Sequence, residues 1–168
     1  MDLLAILLRF VHIGAAVAWA GSAFFVLSIL DPMGARIGPA ENGRITRHLV
    51  LRSKFSIFFP VVAITTVVAG QALYGYVGGH RLYPMSSAAG VVFHVGVLFG
   101  ILAVAWGGAM EGRTLGQVRK LAERMGSAPT SAQEQEFSAL QGRLAGYNRV
   151  SGVLLLVALF CMSTFQAF

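Results

Sequence analysis

The sequence predicts an all-α integral membrane protein. The expected architecture is a four-helix bundle, a single domain over residues 1–168, whose third and fourth helices extend into a cytoplasmic helical hairpin. Three observations predict it. Hydrophobic residues make up 56% of the 168 residues and charged residues only 12%, whereas soluble domains carry about 25% charge. Four apolar runs each reach about 20 residues, the length that takes a helix across roughly 30 Å of hydrocarbon. Eleven of the thirteen basic residues fall in two of the segments between those runs. The composition also excludes disorder, which needs low hydrophobicity. A lone Cys161 excludes a disulfide framework or a CxxC zinc site.

The first helix is expected over about 3–30. Its apolar run covers 10–30, with a lead-in from Leu3 broken only by Arg9. Asp2, rather than a cluster of cations, precedes it, and the run is too long for a cleavable signal, so it reads as a retained helix. Asp31-Pro32 then looks like a natural helix stop, with a basic helix over 41–54 leading into the second span. That span covers about 55–77. Gly and Pro punctuate 78–87 as a short turn. The third and fourth spans cover about 88–110 and 150–168. Barrel strands would be shorter and would alternate in polarity. Residues 111–149 read as the hairpin, because Val118, Leu121 and Met125, and then Phe137, Leu140, Leu144 and Tyr147, recur at helical spacing. Gly126-Ser127-Ala128-Pro129 breaks that pattern, and Ser131 with Glu134 makes a capping-box signature.

Charge sets the orientation. Arg36, Arg44, Arg47, Arg52 and Lys54 follow the first span. Arg113, Arg119, Lys120, Arg124, Arg143 and Arg149 follow the third, leaving only Arg9 and Arg81 on the other side. The positive-inside rule puts both termini outside and both basic segments in the cytoplasm. The net charge of +6 is then a product of topology, with the lipid bilayer and its anionic headgroups as partner. Nothing beyond the charge supports a nucleic-acid role.

Polar groups inside a bilayer are costly and mark function by default. His12 and His94 lie on two helices that both run inward, roughly 5–13 Å below the outer edge. Two neutral imidazoles at one depth on different helices suit axial ligation of a haem iron. Arg9, at i−3 from His12, would neutralise a propionate. Gln71 and Tyr74 on the second helix reach the same layer, as do Ser163, Thr164 and Gln166 on the fourth. This coincidence of depth is the strongest functional signal in the chain. Against it, at about even odds, stands a structural role in which such groups only hydrogen-bond between helices. Trp19 shares the face of His12 and reads as packing rather than cofactor stacking. Gly14 with Gly21, and Gly96 with Gly100, fit close helix packing, though they would also make room for a flat macrocycle. His48 and His80 read as solvated loop residues, Cys161 as inert packing, and Lys54 and Arg149 as interfacial anchors. There is no P-loop, HExxH or GxSxG. The membrane interior holds no acid for a proton relay, since Asp31 and Glu111 sit at the cytoplasmic edge. The scattered methionines argue against a copper path.

Arg9-Phe10-Val11-His12, followed by Trp19-Ala20-Gly21 and Phe24-Phe25, resembles the opening helix of the HemJ-type and CopD-like bacterial membrane proteins. The stretches from Arg52 through Pro60 to Gly70, Val92-Phe93-His94-Val95 and Tyr147-Asn148-Arg149 are similar to later parts of that family. The resemblance implies a four-helix bundle in the bacterial inner membrane. It implies haem b in one branch, protoporphyrinogen oxidation being the HemJ-type activity, and copper handling in the other. His12 and His94 match the family histidines and would be the metal ligands. Gly96 stands where HemJ-type proteins carry a lysine, and Arg149 follows Asn148 where they carry a glutamate beside the asparagine. The resemblance therefore implies a haem-binding or redox-associated member, with a membrane redox partner, rather than that enzyme itself. The alternatives are a non-catalytic small subunit of a larger respiratory or photosynthetic complex, and a copper or solute transport protein. Homo-oligomers fit any of these.

Overall fold

A computed structural model describes residues 2–125 and 129–167, the side chains of Pro39, Phe55 and His80 excepted. Among the described residues all regular structure is helical and there is no strand. Four helices are long and apolar enough to cross a membrane: Leu3–Ile37, Ser56–Tyr76, Ala88–Arg124 and Ser131–Ala167. They mark the chain as a multi-pass membrane protein.

Their packing has the polarity that lipid demands. Buried positions in the spans are mostly small, such as Ala63, Ala69, Ala103 and Ala158. Large apolar side chains face outward instead: Phe10 is 75% exposed, Val17 67% and Phe160 65%. Each Å² of such surface would cost about 25 cal/mol in water and costs nothing against acyl chains. Small residues let backbones approach closely, which drives helix association where the hydrophobic effect is absent. At Gly96 a Cβ would lie 2.9 Å from Cβ of Cys161, so the third and fourth spans meet there. Helix α1 (Leu3–Phe25) packs chiefly on α4 (Phe55–Tyr76). Helix α6 (Ala88–Trp106) packs chiefly on α8 (Ser131–Thr164), and sparser α4–α6 and α1–α8 contacts join the pairs. One core cluster draws a residue from each span: Trp19, Ala63, Ala103 and Leu155.

The first span does not stop at Asp31-Pro32. A π-helical turn, Val26–Leu30, follows α1, and the helix resumes as α2, Asp31–Ile37, with Pro32 in its first turn. A proline ring clashes with the carbonyl of residue i−4 in a regular helix. The wider π turn relieves that clash, so the helix carries the proline. It ends instead at Gly38, whose φ of 88° favours glycine. Helix α3, Pro39–Arg52, is the expected basic helix, and it ends two residues short of Lys54. Gly79–Leu82, α5, is a single turn between the second and third spans.

The third span also passes through a π turn, Gly107–Glu111, before continuing as α7, Gly112–Arg124. Helix α8 starts at Ser131 with Thr130 as its cap. The Thr130 hydroxyl accepts the Gln133 N–H at 3.3 Å, and Gln133 Oε1 accepts the Thr130 N–H at 2.9 Å. The capping box is thus one residue earlier than Ser131 and Glu134 suggest, because glutamine serves at its third position as well as glutamate. The break expected just before it falls largely on 126–128, outside the described residues. Helices α3, α7 and the start of α8 share a core of Val50, Val118, Leu121, Ala122, Met125, Phe137 and Leu140. We call this part the head.

Candidate functional site

Helix α4 positions both intramembrane histidines. Thr66, Gly70 and Tyr74 follow one another at i+4 spacing, so they line one face of that helix. The His12 ring lies on Gly70: a Cβ there would be 2.7 Å from Cε1 and 2.8 Å from Nδ1. His12 Nδ1 is 2.7 Å from the carbonyl oxygen of Thr66. A carbonyl only accepts, so Nδ1 carries a proton, and in the neutral ring Nε2 then holds the lone pair. Among the described residues no hydrogen-bond partner meets that Nε2.

His94 has the same tautomer for the same reason. Its Nδ1 donates to the Gly90 carbonyl one turn back at 2.7 Å. The Tyr74 hydroxyl then donates to Nε2 at 3.3 Å. His12 thus meets α4 at Thr66 and Gly70, and His94 meets the hydroxyl of Tyr74, one turn further along the same helix. Around His94 stands an aromatic cluster. Phe93 stacks with Tyr74 at 5.5 Å and with Tyr83 at 5.0 Å, while Phe165 meets both Phe93 and Tyr83 edge-on. Tyr83, Phe93 and Phe165 were not among the residues picked from the sequence; the enrichment of aromatics at a membrane interface is the signal that points to them.

The other expected site residues divide. Tyr74 bonds to His94. Trp19 lies in the cluster shared by all four spans, so its role is packing. Arg9 and Gln71 are exposed. Ser163 and Thr164 both donate to the Phe160 carbonyl of their own helix, at 3.0 and 2.7 Å, instead of reaching across the bundle. Gln166 is exposed, as is His48; the His80 side chain lies outside the description. A Cβ on Gly14, Gly21 or Gly100 would meet nothing within 4 Å, so close packing explains Gly96 alone. No group of three or more His, Cys, Asp or Glu side chains suited to a metal occurs among the described residues. A bis-imidazole haem site needs only two ligands.

Fold and site define a class: a multi-span helical bundle with two histidine side chains set against one helix. The chain matches no protein-family model, no curated protein and no solved structure.

Proposed function

We propose that this chain is a haem b-binding, redox-associated protein of the bacterial inner membrane, related to the HemJ-type and CopD-like proteins it resembles, with His12 and His94 as the iron ligands. One observation carries the proposal. Each ring commits Nδ1–H to a backbone carbonyl and so leaves Nε2 as the atom for an iron, as metal-bound histidines generally do. The donor set fits a b-type haem, and the Gly70 cradle leaves the His12 ring free of Cβ crowding. A bound haem would supply one-electron chemistry. The chain's part is to fix both tautomers, exclude water with the aromatic cluster and offer Arg9 to a propionate. Ligation at His94 requires the Tyr74 hydroxyl to swing away from Nε2.

Both termini lie outside in this proposal, and the head is a cytoplasmic hairpin. Support comes from the placement of eleven of the thirteen basic residues in the head and the helix ends beside it. A cytoplasm-only reporter fused after Phe168 should be silent, and signal from it would invert the topology.

The spectrum of detergent-purified protein from haem-replete cells tests the ligand role. A Soret band with reducible b-type bands is expected. His12→Ala and His94→Ala should each abolish or shift the low-spin signal, and Trp19→Phe should leave it. The hydrogen bonds favour a second reading, in which both rings are only interhelical ties. In that case no spectrum exists, and each alanine variant costs about 1 kcal/mol of stability.

A further inference from the structure

A groove of about 910 Å³ runs between the first span and α8 at the basic end of the bundle. It is a separate place from the histidines: Asp31 in its wall is nineteen residues from His12 along the same helix, roughly 28 Å. Its walls grade in polarity. Phe24 and Leu27 on α1 and its π turn, with Val153 and Leu156 on α8, make the end nearer the bundle centre. Val153 and Leu156 are exposed. Asp31, Asn148 and Arg149 make the middle, and Asn42, Thr46 and Gln141 make the end in the head. From Asn148 to Leu156, α8 rises roughly 12 Å, enough to seat half an acyl chain.

The polar middle is an incomplete ion cluster. Asp31 Oδ2 is buried and meets no hydrogen-bond donor. Asn148 lies within hydrogen-bonding reach of the same carboxyl and Arg149 within electrostatic reach. A buried acceptor left without a donor costs about 1–3 kcal/mol, more when charged, so the site favours whatever brings an N–H to Oδ2. The neighbouring guanidinium is exposed and suits a phosphate. Carboxylate and guanidinium side by side above an apolar trough call for a zwitterion on a hydrocarbon chain. We propose that the groove binds an ethanolamine phospholipid, with its ammonium on Asp31 Oδ2, its phosphate on Arg149 and an acyl chain along Phe24, Leu27, Val153 and Leu156. An anionic lipid brings no cation to offset the Asp31 charge, and the glycerol hydroxyls of phosphatidylglycerol are neutral donors only. A choline head has the charge but no N–H to give.

The test uses the full-length protein, stripped of lipid in detergent and offered dioleoyl phosphatidylethanolamine, phosphatidylcholine or phosphatidylglycerol. Native mass spectrometry counts the lipid retained. One phosphatidylethanolamine per chain is expected, held about tenfold more tightly than phosphatidylcholine, the worth of one charged hydrogen bond. Asp31→Asn should bring that ratio close to one. Arg149→Gln should weaken both lipids alike and keep the ratio. Val153→Trp should fill the trough and weaken all three. Should Asp31→Asn fail to fold, the wild-type ratio and the other two variants still decide. Equal retention of choline and ethanolamine lipids, strongest retention of phosphatidylglycerol, an unchanged ratio in a folded Asp31→Asn, or wild-type binding by Val153→Trp would each overturn the assignment.

Discussion

In the head, Val118, Leu121 and Phe137 are at most 3% exposed, while Arg119, Arg124 and Arg143 lie at the surface. In the spans the order reverses: alanine and glycine are inside and Phe10, Val68 and Phe160 are outside. One chain thus carries two cores of opposite make-up. Large apolar groups come together in the head, the order of packing that water drives. Lipid offers them no such reward, so the spans associate through close backbone approach and a few polar ties. The two parts should therefore fail in different ways when their interiors are changed.

The largest effect is expected in the head. Phe137→Ala leaves a cavity in a core of large apolar side chains and should cost about 3–5 kcal/mol. Amide exchange in α7 and the first turns of α8 should quicken markedly. Unchanged protection there would mean that the spans, not a separate core, hold the head in place. In the spans, enlargement rather than truncation should do the damage. Ala103→Leu puts bulk into the cluster shared by all four spans and should cost about 1–3 kcal/mol, read by denaturant titration in detergent. Val68→Leu, on the lipid face, should stay within about 0.5 kcal/mol. Equal losses from the two would remove the distinction between inner and outer faces.

The smallest effect lies at the end of the bundle remote from the head, where Asp2 caps α1. Its Oδ1 accepts the N–H groups of Leu4 and Ala5, and Oδ2 accepts the Tyr76 hydroxyl at 2.7 Å. That hydroxyl bond, ahead of the two backbone bonds, holds the carboxyl below its ordinary value. A depressed acid stabilises the fold in full above about pH 4, its unfolded value. The contribution is lost as pH falls through the lower folded value. Tyr76→Phe should return the Asp2 titration, followed by NMR, toward the ordinary range, whereas an unmoved titration would assign the shift to the helix N-terminus.

The spans were legible because an apolar run of about 20 residues has few other uses. The head was legible because Val118, Leu121 and Met125 repeat with the period of a helix facing a core. The Asp31-Pro32 stop was misread, since nothing local announces the π turn that makes room for the ring. The face of each span was harder to read. Lipid-facing and bundle-facing residues are both apolar, so Gly14, Gly21 and Gln71 gave no sign of pointing outward, and Ser163 and Thr164 none of bonding to their own helix. His12 and His94 each meet α4, at Thr66 and at Tyr74. The two carbonyls that fix the tautomers are backbone groups, which no side-chain pattern encodes.

The paired π turns make this a chain that counts. Each holds one more residue per turn than the helix around it, and each lies where a span hands over to the head. Deleting a residue inside Val26–Leu30 or Gly107–Glu111 would leave good helix on both sides. The face beyond would stay nearly in register, because the π turn already absorbs the extra residue, although losing the first would bring back the Pro32 clash. A deletion in the α-helix before either turn would instead rotate everything beyond by about 100°, swinging Asp31 away from Asn148 or turning Val118 and Leu121 off Phe137. Each π turn is therefore the point in its span where a change of length is absorbed rather than passed on.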